Sequence, residues 1–143
     1  MRRRARIKEI TPYGISVRLE LGCESARQLI VDSLKVEGFG VLTEIDVQRI
    51  LKEKLGVNIA PHIILGACNP VLAQAALAAD PNIGLLLPCN VVLRQEGHEC
   101  VVSILDPLVM ADVSRNAKVK EVAALARERV ERVIEGLQDQ SIE

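Results

Sequence analysis

Two cysteines occupy related contexts, in GACNP at positions 66–70 and LLPCNV at positions 86–91, each a Cys-Asn dipeptide beside a proline. A thiolate is a nucleophile, a redox centre and a soft-metal ligand, so Cys68 and Cys89 are the first candidates for chemistry. With His62 upstream and Met110 downstream they form a soft donor set suited to Cu(I) or Zn, although the spacings match no standard chelate. Asn69 and Asn90 add amides that can orient a small ligand. Each residue also has a plain structural use. Asn69 followed by Pro70 is a helix start, Asn90 can face a polar residue across a hairpin, and a free cysteine packs as a small apolar side chain. A thiol just ahead of a helix N-terminus, as Cys68 would be, lies where thiols become reactive, unless the helix buries it.

Other chemistry is poorly supported. GxSxG, HExxH and phosphate-cradling glycine loops are absent from the sequence, so an enzyme is the minority reading. Tyr13 and Phe39 are the aromatic residues, which disfavours ligands held by stacking, and a net charge of -1 spread along the chain argues against nucleic acid. The basic cluster Arg2, Arg3, Arg4, Arg6 and Lys8 reads as a solvated arm over residues 1–14. No signal-like or membrane-length apolar run follows it, so the expected location is cytoplasmic, where Cys23, Cys68, Cys89 and Cys100 stay free thiols.

The elements that must position these residues follow from periodicity. Ile15, Val17 and Leu19 alternate with polar residues as a strand does, and Gly22 ends the run. A helix starts after Ser25, with Ser25 and Gln28 as a capping box, and EGFG at 37–40 breaks it. Val41 to Ile45 suit a strand leading to Asp46, the N-cap of a short helix closed by Gly56. His62 to Cys68 is a third strand, running into the helix of Pro70 to Ala79, whose near-continuous apolar surface predicts burial on more than one side. Ile83 to Leu93 and Cys100 to Leu105 read as a hairpin. A turn at Glu96-Gly97 would set Arg94 opposite Glu99, Leu93 opposite Cys100, Cys89 opposite Ile104 and Asn90 opposite Ser103. Val119, Val122, Ala126, Val130, Val133 and Leu137 mark a long amphipathic final helix. Val91, Val102, Ile104, Leu29, Leu34, Val122 and Val130 are expected to share one core, in a single domain over residues 15–137 with a tail at 138–143.

EGFGVLTEIDV, ILGACNPVLAQAAL, Asp80-Pro81, GLLLPCNVV and Asp106-Pro107 together resemble the signature of the domain of unknown function 302 family. The resemblance implies an α+β domain with a curved, mainly antiparallel sheet packed by helices, similar to the TBP-like fold, and often a homodimer. It implies no reaction and no DNA binding. The function expected is therefore a non-catalytic module for a small ligand or metal, its pocket lined by Cys68, Asn69, Cys89, Asn90 and His62. The alternatives are a thiol-dependent carrier or redox-responsive protein using Cys68 with Cys89, and a structural partner-binding domain.

Overall fold

The computed structural model describes residues 8–139, so Arg2, Arg3, Arg4 and Arg6 of the basic arm and the end of the tail lie outside the described residues. The chain runs β1 (Lys8–Ile10), β2 (Gly14–Leu19), α1 (Cys23–Val36), β3 (Gly40–Asp46), α2 (Val47–Leu55), β4 (His62–Cys68) and α3 (Pro70–Ala79). A 3₁₀ turn (Pro81–Leu86), β5 (Cys89–Glu96), β6 (Glu99–Leu105), α4 (Leu108–Ser114) and α5 (Ala117–Asp139) complete it. The six strands form one open sheet in the order β1-β2-β6-β5-β4-β3, antiparallel throughout. Among the described residues no helix is long and apolar enough to cross a membrane.

Alternation decides which sheet face is closed. Ile15, Val17 and Leu19 of β2, Leu65 and Ala67 of β4, Cys89, Val91 and Leu93 of β5, and Cys100, Val102 and Ile104 of β6 all turn to one side. Ala26, Ile30 and Leu34 of α1 and Val130, Val133, Ile134 and Leu137 of α5 cover them. The helices approach closely where Ser33 Oγ donates to the Val133 carbonyl at 2.9 Å and Gly136 leaves room for that hydroxyl. Val122 belongs instead to a second, smaller core with Ala76, Ile83, Met110 and Val119, so the single shared core expected from periodicity divides in two, while Leu29 is only partly buried beside the first.

Several local signals act as expected. Asp46 accepts the Arg49 N–H at 3.0 Å, Gly56 closes α2 in the left-handed region, and Asn69 accepts the Leu72 N–H at 3.2 Å with Pro70 in the first turn of α3. Others fail. Helix α1 begins at Cys23 with Gly22 as an N-cap lacking a side-chain bond, so the Ser25–Gln28 capping box does not form; the Cys23 N–H goes to Gln95 Oε1 at 2.9 Å. The apolar run from Ile83 does not enter the sheet until Cys89, because Asp80 accepts the Asn82 N–H and Pro81 starts a 3₁₀ turn.

The hairpin turn is Gly97-His98, not Glu96-Gly97. Gly97 takes the positive φ, 61°, at the first central position, where two-residue hairpins favour glycine. Val91 therefore faces Ile104, and Leu93 faces Val102. A two-residue slip keeps every side chain on its expected face, so the layer assignment holds while the pairs change. Arg94 faces Val101, Asn90 lies beside Gly66 of β4, and Ser103 bonds Ser16 across β2 at 2.6 Å. Arg94 pairs with Glu96 instead of Glu99, and Glu99 goes at 3.7 Å to Arg18, whose guanidinium also reaches Glu9 at 3.1 Å and Glu96 at 3.0 Å.

Helix α3 is not buried on several sides. Only Ala76 is buried, whereas Val71 and Leu77 are 75% and 40% exposed, because the helix lies over the small second core, which needs only its alanines and Leu72. Gly66, in the middle of the sheet, is required by its neighbours: a Cβ there would collide with Thr43 Oγ1 and meet Pro88 Cγ at 2.9 Å. Gly66→Ala is expected to destabilise the domain by about 3 kcal/mol, as overpacking does, measured by urea unfolding; a change within ~0.5 kcal/mol would show that β3 and Pro88 yield freely.

Candidate functional site

Strand β4 and helix α3 meet at Cys68 and Asn69, and β5 begins at Cys89, one register step away on the neighbouring strand, where Ala67 pairs with Cys89. The strand ends and the helix start thereby bring Cys68, Asn69 and Cys89 to one half-open cavity of about 40 Å³. Its walls are Phe39, Leu72, Ala76, Met110 and Val122 among other carbon-rich side chains, so it lies on the seam between the large and small cores. The volume suits a few heavy atoms, such as a methyl or short alkyl group, more readily than a drug-sized ligand.

The other two expected residues are elsewhere. His62 starts β4, six residues from Cys68 and so about 20 Å along the strand, and lines a different cleft with Gly22, Cys23, Gln48 and Gln95. Asn90 follows Cys89 and therefore projects to the opposite sheet face, where it borders an open concavity with Tyr13, Ser16, Arg94 and Ser103. As read from the sequence, Asn69 is a helix cap and Asn90 a strand residue, and these different roles separate the two amides. His62 therefore cannot complete a metal site with the two cysteines. Among the described residues no three His, Cys, Asp or Glu side chains gather as metal ligands, whereas Met110 does line the cavity with Cys68 and Cys89.

Polar anchors hold the cavity walls. Asn69, 9% exposed, accepts from Leu72 and donates Nδ2–H to the Glu37 carbonyl at 3.4 Å, tying the start of α3 to the end of α1. The far end of α3 is held by Asn116, which donates to the Ala79 carbonyl at 3.2 Å, while the Ser114 hydroxyl donates to Asp80 at 2.9 Å. Asp106 is buried, accepts the Leu108 N–H at 2.9 Å and pairs with Arg127 at 2.6 Å. The acidic-proline pairs thus serve as helix starts and clamps. Sequence reasoning missed Arg127 because its partner is 21 positions away, although both residues were in plain view.

Electrostatics separate the cysteines. Burial first, then repulsion from the neighbouring Asp106 carboxylate, pushes the Cys89 thiol from an ordinary 9.0 up to about 12. Its Sγ lies 3.6 Å from the Leu105 carbonyl, a weak S–H bond that suits the neutral form. Cys89 is therefore a neutral thiol near pH 7, able to line a cavity or bind a thiophilic ion but poor as a nucleophile. Cys68 is only half-buried, at the cavity's rim.

An antiparallel sheet with helices packed on one face and a small cavity on the seam between two cores defines an α+β domain. Residues 15–137 match the family described as domain of unknown function DUF302, and the chain belongs to that family. A crystal structure of an uncharacterised conserved DUF302 protein from Bacillus stearothermophilus is similar: 29% identity, 88% of this chain and 98% of that chain covered, and a TM-score of 0.81. No curated protein matches the chain.

The cysteine environments predict an order of reactivity. Iodoacetamide at pH 8 should modify Cys68 ahead of Cys23, Cys89 and Cys100, read by peptide mapping; equal labelling of all four before unfolding would contradict it. Because the folded-state value of Cys89 is raised, its contribution to stability is complete below 9.0 and lost as pH climbs toward about 12. The alkaline fall in stability should therefore be shallower in Cys89→Ala.

Proposed function

We propose that this domain is a non-catalytic binding module that takes a small apolar group in the seam cavity, with Cys68 at the rim and Asn69 fixing its wall. The observation that carries this reading is the convergence of Cys68, Asn69 and Cys89, from segments some twenty positions apart, on one small cavity otherwise lined by carbon. A preformed apolar hollow with few polar groups suits binding without chemistry. The raised Cys89 thiol also argues against a cysteine-pair carrier working at neutral pH.

Amide chemical shifts report the test, with n-butanol as the probe. Saturable shifts confined to residues 67–76 and the neighbourhood of Met110 and Val122 are expected, and Ala73→Leu, which fills the cavity, should abolish them. Scattered, non-saturating shifts, or unchanged binding in Ala73→Leu, would sink the reading. A second reading rests on the three sulfurs of Cys68, Cys89 and Met110 around the same space, a donor set for Cu(I). Retention of Cu(I) against a bathocuproine chelator, lost in Cys68→Ser, together with failure of the alcohol to bind, would replace the first reading by the second.

We also infer that the chain assembles as a homodimer. Leu85, Val71 and Leu42 are 88%, 75% and 67% exposed, and β3 is a seven-residue edge strand with mostly exposed side chains. Exposed apolar side chains and an open edge suit a second copy, which would cover both. Light scattering should return twice the monomer mass at micromolar concentration, falling toward one in Leu42→Lys; a monomer mass for the unaltered chain would overturn the inference.

A further inference from the structure

Away from the seam cavity, the other two cysteines meet. Cys23 Sγ and Cys100 Sγ are 2.6 Å apart inside the main core, where the two residues are 3% and 0% exposed. The separation leaves no room for an atom between them and exceeds a disulfide bond of about 2.05 Å by little.

Rigid elements set this contact. Cys100 of β6 faces Leu19 of β2, and after Leu19 the chain turns back through the Leu21 N–H bond to the Leu19 carbonyl, at 2.8 Å, to open α1 at Cys23. Gln95, opposite Cys100 in the hairpin, accepts the Cys23 N–H at 2.9 Å and donates to the Gly97 and Glu99 carbonyls at 3.1 and 3.0 Å. One amide thus clamps the start of α1 against the hairpin that carries Cys100. Cys23 also borders an open cleft of about 390 Å³ with Gly22, Gln48, His62 and Gln95, which brings a small solute to its side of the pair, whereas burial pushes the Cys100 thiol up.

We propose that Cys23 and Cys100 are a disulfide-forming pair, closed by a peroxide, which locks the start of α1 onto the β5–β6 hairpin. Cys23 sulfur attacks one peroxide oxygen and breaks the O–O bond, giving a sulfenic acid and one water. Cys100 sulfur then displaces the sulfenic oxygen, which leaves as a second water with the thiol proton, and the S–S bond forms. Two thiols lose two electrons and two protons, and one hydrogen peroxide accepts them. The bond joins residues 77 positions apart, so it restricts the unfolded chain across α1, β3, α2, β4, α3 and the whole of β5.

The test is hydrogen peroxide treatment of the full chain, blocking of remaining thiols with N-ethylmaleimide, and tryptic mapping without reductant. Trypsin places Cys23 in residues 19–27 and Cys100 in residues 95–115, while Cys68 and Cys89 fall together in residues 55–94, so the pairings separate cleanly. Fragments 19–27 and 95–115 are expected to migrate as one species, two hydrogens lighter than their sum, with fragment 55–94, which holds Cys68 and Cys89, joined to neither. The melting temperature should rise by about 10 °C on oxidation and return with dithiothreitol. The Cys68→Ser/Cys89→Ser variant should behave identically, and Cys23→Ala should show neither cross-link nor rise. Maleimide on both Cys23 and Cys100 after treatment, a cross-link through Cys68 or Cys89, or only intermolecular cross-links would overturn the proposal; the mapping of the unaltered chain decides even if a variant fails to fold.

Discussion

The closure of one sheet face by two helices is the constraint on which the rest of the domain depends. Isolated, the sheet would expose a continuous apolar layer, from Ile15 and Val17 on β2 to Leu65 on β4, that no hydrogen-bond ladder could compensate. Helices α1 and α5 remove it from water, and their close approach at Ser33 and Gly136 lets both lie on the same layer. At about 25 cal/mol per Å² of apolar surface, this burial outweighs any single polar contact in the molecule. Polar residues choose where segments start and stop; they do not supply the main attraction.

The seam cavity follows from that arrangement. Helix α5 is long enough to serve two cores, covering the sheet with Val130 to Leu137 and reaching α3 and α4 through Val119 and Val122. Two cores of different size sharing one helix cannot interlock everywhere, and the imperfect fit falls where β4 ends and β5 begins beneath α3. Asn69, Asp80, Asp106 and Asn116 then hold the surrounding segments by hydrogen bonds to backbone groups that the helix ends would leave unpaired. Of these anchors Asn69 lines the cavity itself, and the others fix the ends of the segments that carry its walls.

The four cysteines show how environment, and not residue type, sets thiol behaviour. Cys68 is half-exposed at a strand end, Cys89 is buried beside the Asp106 carboxylate, and Cys23 and Cys100 face each other in the main core. The last pair carries no sequence signal, since neither spacing nor neighbouring residues tie them together.

The strands at Ile15, Val41 and His62, the caps Asp46 and Asn69, and the buried stripe of α5 were all determined by the sequence alone. Each rests on interactions within a few residues or on a period that only one face can satisfy. Tertiary structure decided the rest. The hairpin register depended on which central turn position received Gly97, and the cross-strand partners of Asn90 and Arg94 changed with it. The exposure of α3 could not be read from its apolar composition, because burial depends on what lies opposite a helix, and the second core is too small to cover it. Likewise, nothing local relates Cys23 to Cys100. Contacts between distant segments are chosen by the packing of whole elements, which no short window of sequence contains.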